Sequence, residues 1–193
     1  LLAGLVTGLL HTALGIPAIL SGILSQLALY SINMRIMGKA NVTVSVTEHN
    51  LIVSLRYINK SIIIAGIVVI ALIAVLYWFF GTEIGCALRA TGNNANMSRA
   101  QGINTNVIKV LGLMISNGLV GLAGGLYAQY QGNADINMGR GAIVIGLASV
   151  IIGEVIIGRK VNFAVKLSSV ALGSIIYYIV IALVLQLGLS TTD

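Results

Sequence analysis

Residues 61–80 form a run of twenty residues without a single charge. At about 1.5 Å of rise per residue, a helix of that length crosses the hydrocarbon core of a bilayer, which is roughly 30 Å thick. The run ends in Tyr77-Trp78-Phe79-Phe80, and aromatic rings of this kind collect at the membrane–water interface. A soluble fold would have to coat such a segment with polar residues. The chain has too few, because 58% of its 193 residues are apolar and 8% charged, against about a quarter charged in an ordinary soluble domain. That balance excludes an ordinary globular enzyme and a disordered tail, and it makes the lipid bilayer the expected solvent.

Further apolar segments cover 1–14, 18–34, 110–130, 142–153 and 167–189. Gly15-Ile16-Pro17 separates the first two, since proline lacks a backbone donor and clashes with the preceding turn. The runs are apolar at odd and even positions alike, whereas a membrane strand alternates. Helices satisfy their own backbone groups in lipid, so the expected fold is an all-α polytopic transmembrane helical bundle. The 142–153 run has twelve residues, below the roughly 17 that a span needs. With Gly139 and Gly141 at its entrance, it reads as a short or broken helix between Gly139 and Gly153. Half-helices with glycine-rich entries line pathways in transporters, which makes Gly139, Gly141 and Gly146 translocation-path candidates. The alternative is a tight turn outside the membrane. Nothing suggests a repeat or a second domain, so 1–193 is expected to be a single transmembrane domain. Leu1 already lies inside an apolar run, and the chain reads as a fragment of a longer one.

The formal net charge is +6. The basic residues stand singly or in pairs between apolar runs, as loop charges do, and no nucleic-acid partner is expected. The positive-inside rule separates the two sides only weakly. On alternating segments, one side carries six basic residues in loops 81–109 and 158–166, and the other carries five. Residues 81–109 are placed on the cytoplasmic side. Glu154 reads as an interfacial residue beside Arg159 and Lys160.

Chemistry-bearing constellations are missing. Cys86 is the one cysteine, and His11 and His49 are far apart. No Gly-x-Ser-x-Gly elbow occurs. The nearest approach to a phosphate-binding loop, residues 153–161, has Arg159 intruding and no hydroxyl. No enzyme activity, metal or cofactor is expected, and any ATP would be bound by another subunit. His11 reads as a packed or interface histidine. Gly4 with Gly8, and Gly121 with Gly125, have the spacing that lets membrane helices approach closely.

The longest polar stretch, 81–109, reads GTEIGCALRATGNNANMSRAQGINTNVIK. Asn93-Asn94 offers helix-capping chemistry, 95–101 can form about two turns, and Gly102 suits a C-cap with positive φ. Thr105 or Asn106 is expected to cap the next span. Gly92 is expected to adopt positive φ as well. Arg89 can engage carbonyls or a carboxylate with its fixed fork of donors. A surface helix between two glycines is either a docking device for a cytoplasmic partner or a merely solvated loop helix.

These stretches carry a family resemblance. Gly85-Cys-Ala-Leu-Arg89-Ala-Thr-Gly92-Asn93, then Ala100-Gln-Gly102-Ile103-Asn104, resembles the cytoplasmic loop of ABC-importer permeases of the branched-chain amino acid and ribose type. Gly139-x-Gly141 through Gly146-Leu-Ala-Ser-Val-Ile-Ile-Gly153-Glu154 is similar to that family's later glycine-rich membrane motif. Leu29-Tyr-Ser-Ile-Asn-Met-Arg-Ile-Met-Gly38-Lys-Ala-Asn41 resembles a narrower subgroup, some of whose members are linked to tryptophan or tyrosine uptake. The resemblance implies a permease in the bacterial plasma membrane that imports a small solute, an amino acid in the subgroup. Its implied partners are a cytoplasmic ATP-binding subunit, an extracytoplasmic substrate-binding protein and a second permease copy forming a homodimer. It implies that Arg89, Gly92, Asn93, Ala100 and Gly102 belong to the ATPase-coupling loop. A secondary transporter or channel without an ATPase is the competing reading, and the uncharged centres of 61–80 and 110–130 argue against proton coupling.

Overall fold

A computed structural model describes residues 1–43, 58–139, 142–158 and 162–187. Among these, the helices are α1 (Leu2–Thr12), α2 (Ala18–Met37), α3 (Ile58–Gly81), α4 (Glu83–Asn93), α5 (Ala95–Ala100), α6 (Thr105–Gln131), α7 (Ala142–Ile157) and α8 (Phe163–Gln186). Two three-residue strands, β1 (Asn41–Thr43) and β2 (Asn133–Asp135), accompany them. The all-α reading holds, with this ribbon as an addition. Among the described residues, three helical segments are long and apolar enough to cross a membrane: Asn59–Gly81, Thr105–Gln131 and Phe163–Gln186. The interruption at Gly15-Ile16-Pro17 falls where expected: α1 ends at Thr12, Gly15 takes φ +68°, and Pro17 precedes α2. His11 is packed into this break, its Nδ1–H donating to the Ile16 carbonyl at 2.8 Å.

The chain divides into two compact units, Leu1–Gly66 with Trp78–Asn137, and Ile67–Tyr77 with Met138–Asp193. In the first unit α1 packs on α6 and α2. The approach to α6 is made through glycine. A Cβ on Gly4 would collide with the Leu113 carbonyl, and one on Gly8 would stand 3.0 Å from Val110 Cα. The approach to α2 is sealed by a buried hydrogen bond of 2.7 Å from Thr7 Oγ1 to Ser25 Oγ. Gly121 and Gly125, at the same spacing as Gly4 and Gly8, face open space.

The far ends of α2 and α6 meet in the ribbon. Gly38 and Gly132 end the two helices in left-handed conformation, at φ +66° and +69°. β1 and β2 then pair antiparallel in the register Asn41↔Asp135, Val42↔Ala134, Thr43↔Asn133. The second unit is built on the α7–α8 hairpin. Ser149, Gly153, Ser169 and Gly173 are buried along its seam, and a Cβ on Gly153 would collide with the Ser169 carbonyl. Glu154 lies in the last turn of α7 and Lys166 in the first turn of α8. Each charge opposes its own helix dipole, and the two pair with each other at 3.9 Å. The partner of Glu154 is thus Lys166, on the next helix. Arg159 and Lys160, expected beside it, lie outside the described residues.

Candidate functional site

The stretch 81–109 is a helix pair, α4 followed by α5, inserted between α3 and α6 in chain order. Its joints are made by side chains with short polar reach. The Thr82 hydroxyl accepts from Gly85 N at 3.3 Å and caps α4. Asn94 closes α4 and opens α5: its N–H donates to the Ala90 carbonyl, and its side-chain oxygen accepts from Asn96 N and Met97 N, both at 3.1 Å. Ser98 is fully buried, and its hydroxyl donates to the Asn94 carbonyl at 3.1 Å. Gly102 leaves α5 at φ +81°, and Asn104 caps α6 through Asn106 N and Val107 N. Arg99 Nε donates at 2.8 Å to the hydroxyl of buried Thr105, tying α5 to the first residue of α6.

α4 is seated as firmly at its other contacts. Gly85 lies so close to the end of α3 that a Cβ there would collide with the Phe79 carbonyl, and Leu88 packs against Gly112 of α6. The 2.8 Å contact at Gly112 involves only a leucine methyl, so a small side chain there is accommodated by a rotamer change.

The residues singled out in the sequence fall on this pair as follows. Arg89 and Gly92 lie on exposed positions of α4, Asn93 is its last residue, and Ala100 is the last residue of α5. Gly102 has the positive φ expected of it. Gly92 does not: it is helical, and a Cβ there would meet nothing within 4 Å. The turn that Gly92 was expected to make lies two residues later at Asn94, in extended conformation with φ −150°. The cap of α6 is Asn104, one residue before Thr105. Gly92→Ala is therefore expected to be neutral or to stabilise the protein by up to about 1 kcal/mol through helix propensity. Gly102→Ala is expected to cost about 1 kcal/mol or more. Thermal unfolding of the two variants in detergent checks the contrast.

The second candidate region begins at Gly139, whose carbonyl accepts from Ala142 N at 3.3 Å. Gly141 lies outside the described residues. α7 has sixteen residues, about 24 Å at 1.5 Å per residue, so it is the short helix expected. Gly146 lies on α7 with open space where its Cβ would be. Sequence reasoning found the capping chemistry at Asn94 but missed α4 as a helix, and it passed over the Arg99–Thr105 bond, a contact between side chains six residues apart. Among the described residues no three His, Cys, Asp or Glu side chains gather as metal ligands.

The described residues thus combine helices able to span a bilayer with a short helix pair, α4–α5, that packs against the end of α3 and the start of α6. The chain belongs to the family described as the branched-chain amino acid transport system / permease component, whose family model matches residues 1–193. It is a multi-pass protein of the bacterial inner membrane. It is 42% identical over 191 residues, 99% of its length, to a tyrosine transport system permease protein of Clostridioides difficile strain R20291. It is 33% identical over 185 residues, 90% of its length, to an uncharacterised protein of Rickettsia prowazekii strain Madrid E. A shorter match, 34% over 85 residues, covers 42% of this chain and 27% of a nucleoside ABC transporter permease protein of Lactococcus lactis subsp. cremoris strain MG1363. The chain spans 63% and 62% of the length of the first two relatives. No solved structure matches it.

Proposed function

We propose that this chain is the permease domain of an ATP-driven importer, and that α4–α5 faces the cytoplasm and receives the movement of an ATP-binding subunit. The observation that carries the reading is the double anchoring of α5, through Asn94 to α4 and through Arg99–Thr105 to α6. A loop that only connects two helices needs no such anchoring, whereas a segment that passes displacement into a spanning helix does. In this reading Arg89, Gly92, Asn93, Ala100 and Gly102 belong to the coupling segment, and Gly139, Gly141 and Gly146 border the solute path. Two permease copies work with two ATP-binding subunits and one extracytoplasmic substrate-binding protein. ATP binding shifts the permease between inward- and outward-open states only by the difference in contact free energy that it creates between them. The solute is a small amino acid-like molecule. The transport-system name of the 42% identical relative supports an amino acid.

The sidedness is tested with Cys86→Ser and single cysteines at Ala95 or Ala100. An impermeant thiol reagent is expected to label them only after cells are permeabilised. Labelling in intact cells places α4–α5 outside and refutes the reading. The substrate class is tested in proteoliposomes holding the complete transporter, where ATP-dependent uptake of an aromatic or branched amino acid is expected. Uptake without any ATP-binding subunit would establish the competing secondary-transporter mechanism instead.

A further inference from the structure

α1, α2 and α6 run side by side. α1 is antiparallel to α6, with Gly8 at Val110 and Gly4 at Leu113. The break at Gly15-Ile16-Pro17 turns the chain back into α2, where Ser25 meets Thr7. α2 then ends beside the end of α6, in the β1–β2 ribbon. Its 20 residues, about 30 Å of helix, therefore cross the same layer as α6, a helix able to span a bilayer. α2 itself is not among the segments apolar enough to do so.

Part of the reason is a polar stripe. Gln26, Tyr30 and Asn33 follow the i, i+4, i+7 spacing of one helix face, within about 60° of one another around the axis. All three are exposed. The serines of α2 are satisfied at home: Ser21, Ser25 and Ser31 donate to carbonyls of their own helix. Among the described residues, Gln26, Tyr30 and Asn33 make no hydrogen bond. α3 is a contrast, with no polar side chain from Ile62 to Leu76. Polar groups that face hydrocarbon without a partner are costly, and inside membrane proteins they turn to the bundle interior or to a water-filled cavity.

A neighbouring helix is the other cover such a stripe could have. This chain builds its helix contacts from small residues, Gly4 and Gly8 at one seam and Gly153 and Gly173 at the other, so that backbones touch. Gln26, Tyr30 and Asn33 have long side chains that hold a second backbone away. The stripe is also neutral, since α2 carries no charge before Arg35. Two amides and a phenol both donate and accept hydrogen bonds, so they can serve an ammonium and a carboxylate in turn. A solute with no net charge then passes without an ion pair to break, and a path must bind weakly enough to release.

We propose that α2 lines the solute path, and that Gln26, Tyr30 and Asn33 form a ladder of neutral hydrogen-bonding groups for a zwitterionic solute, covering about 10 Å of helix from its middle toward the ribbon. This rests on the reading that the chain is a permease, and it is independent of what α4–α5 touches.

The test uses the complete transporter in proteoliposomes, with Cys86→Ser as background and single cysteines along α2. Two small thiol reagents, one with a trimethylammonium head and one with a sulfonate, are applied from both sides to the nucleotide-free and the ATP-bound transporter. Gln26→Cys, Tyr30→Cys and Asn33→Cys are expected to react about tenfold faster than Leu20→Cys, Leu24→Cys and Leu27→Cys, because the reagents attack the thiolate, which forms far less readily in apolar surroundings. The three leucines are exposed on another side of α2, so all six variants are expected to keep parental thermal stability. Scaled to its rate with a free thiol, each reagent is expected to react equally well along the stripe. A preference of about tenfold for one charge is what a charged cleft produces, and it would rule out the neutral ladder. Equal reaction at all six positions in both states overturns the proposal. A disulfide between two permease copies through Asn33→Cys would reveal a subunit contact at the stripe and overturn it as well. A reactive stripe in a protein whose amino acid uptake needs no ATP-binding subunit removes the ATP-driven reading and leaves the ladder. An unreactive stripe beside ATP-driven uptake removes the ladder alone.

Discussion

Replacing Gly173 with leucine is expected to break the α7–α8 hairpin. A Cβ at Gly173 would collide with the Ser149 carbonyl and stand 2.8 Å from Gly153 N. Both obstacles are backbone, so neither can give way by a rotamer change, and the helices must separate along their whole seam. The separation removes the close contact of Ser149, Gly153, Ser169 and Gly173, which is the main source of attraction between helices in a solvent as apolar as they are. Overpacking of this kind costs about 3 kcal/mol, and here no compensating burial is available. The permease is expected to lose most of its folded fraction in detergent and to unfold at a distinctly lower SDS fraction. Gly146→Ala, on the same helix but facing open space, is the matched control and should behave as the parent. Equal losses at Gly146 and Gly173 would show that the seam does not hold the hairpin.

Gly4→Val is expected to act similarly on the α1–α6 contact. The new Cβ would collide with the Leu113 carbonyl and Met114 Cα, and lifting α1 would also pull Thr7 from Ser25, leaving the two hydroxyls with their carbonyl partners Ala3 and Ser21 in their own helices. The combined loss is about 3 kcal/mol, with roughly 0.6 kcal/mol of it in the interhelical hydrogen bond. Gly121→Val shares the four-residue spacing but has nothing within 4 Å, and valine ranks above glycine in helix propensity, so it should cost nothing. Folded yield of the two variants, side by side, decides the matter: a loss at Gly121 as large as that at Gly4 contradicts the asymmetry.

This asymmetry marks where sequence pattern stops being informative. Spacing of small residues says that a helix can be approached closely, not which helix approaches it. The candidate spans α3, α6 and α8 were legible because twenty or more residues of apolar sequence have few alternatives. The break at Pro17 and the start of α5 at Asn94 were legible because they rest on local chemistry, a missing donor and a side-chain acceptor. α4 was not legible. Its eleven residues include Gly85 and Gly92, which weaken helix propensity, and its packing comes from distant partners, the end of α3 and Gly112 of α6. The positive φ assigned to Gly92 failed for the same reason: α4 continues through it to Asn93. The ribbon escaped notice because three residues are too few to display alternation. At the candidate coupling segment, Arg89, Gly92, Asn93, Ala100 and Gly102 were drawn from a resemblance. The Arg99–Thr105 bond, which ties the segment to α6, emerges only from its geometry.

The β1–β2 pairing gives α6 the character of a lever arm. One end of that helix carries α5 through the Arg99–Thr105 bond, and the other is stitched to the end of α2 through Val42 and Ala134. Over its 27 residues it is a rod of about 40 Å. A tilt of about 5° around its midpoint moves each tip by roughly 2 Å, in opposite directions. The stitch denies α6 the freedom to swing alone, so a push of that size at the α5 tip is shared with α2 at the other, and the two helices lean together.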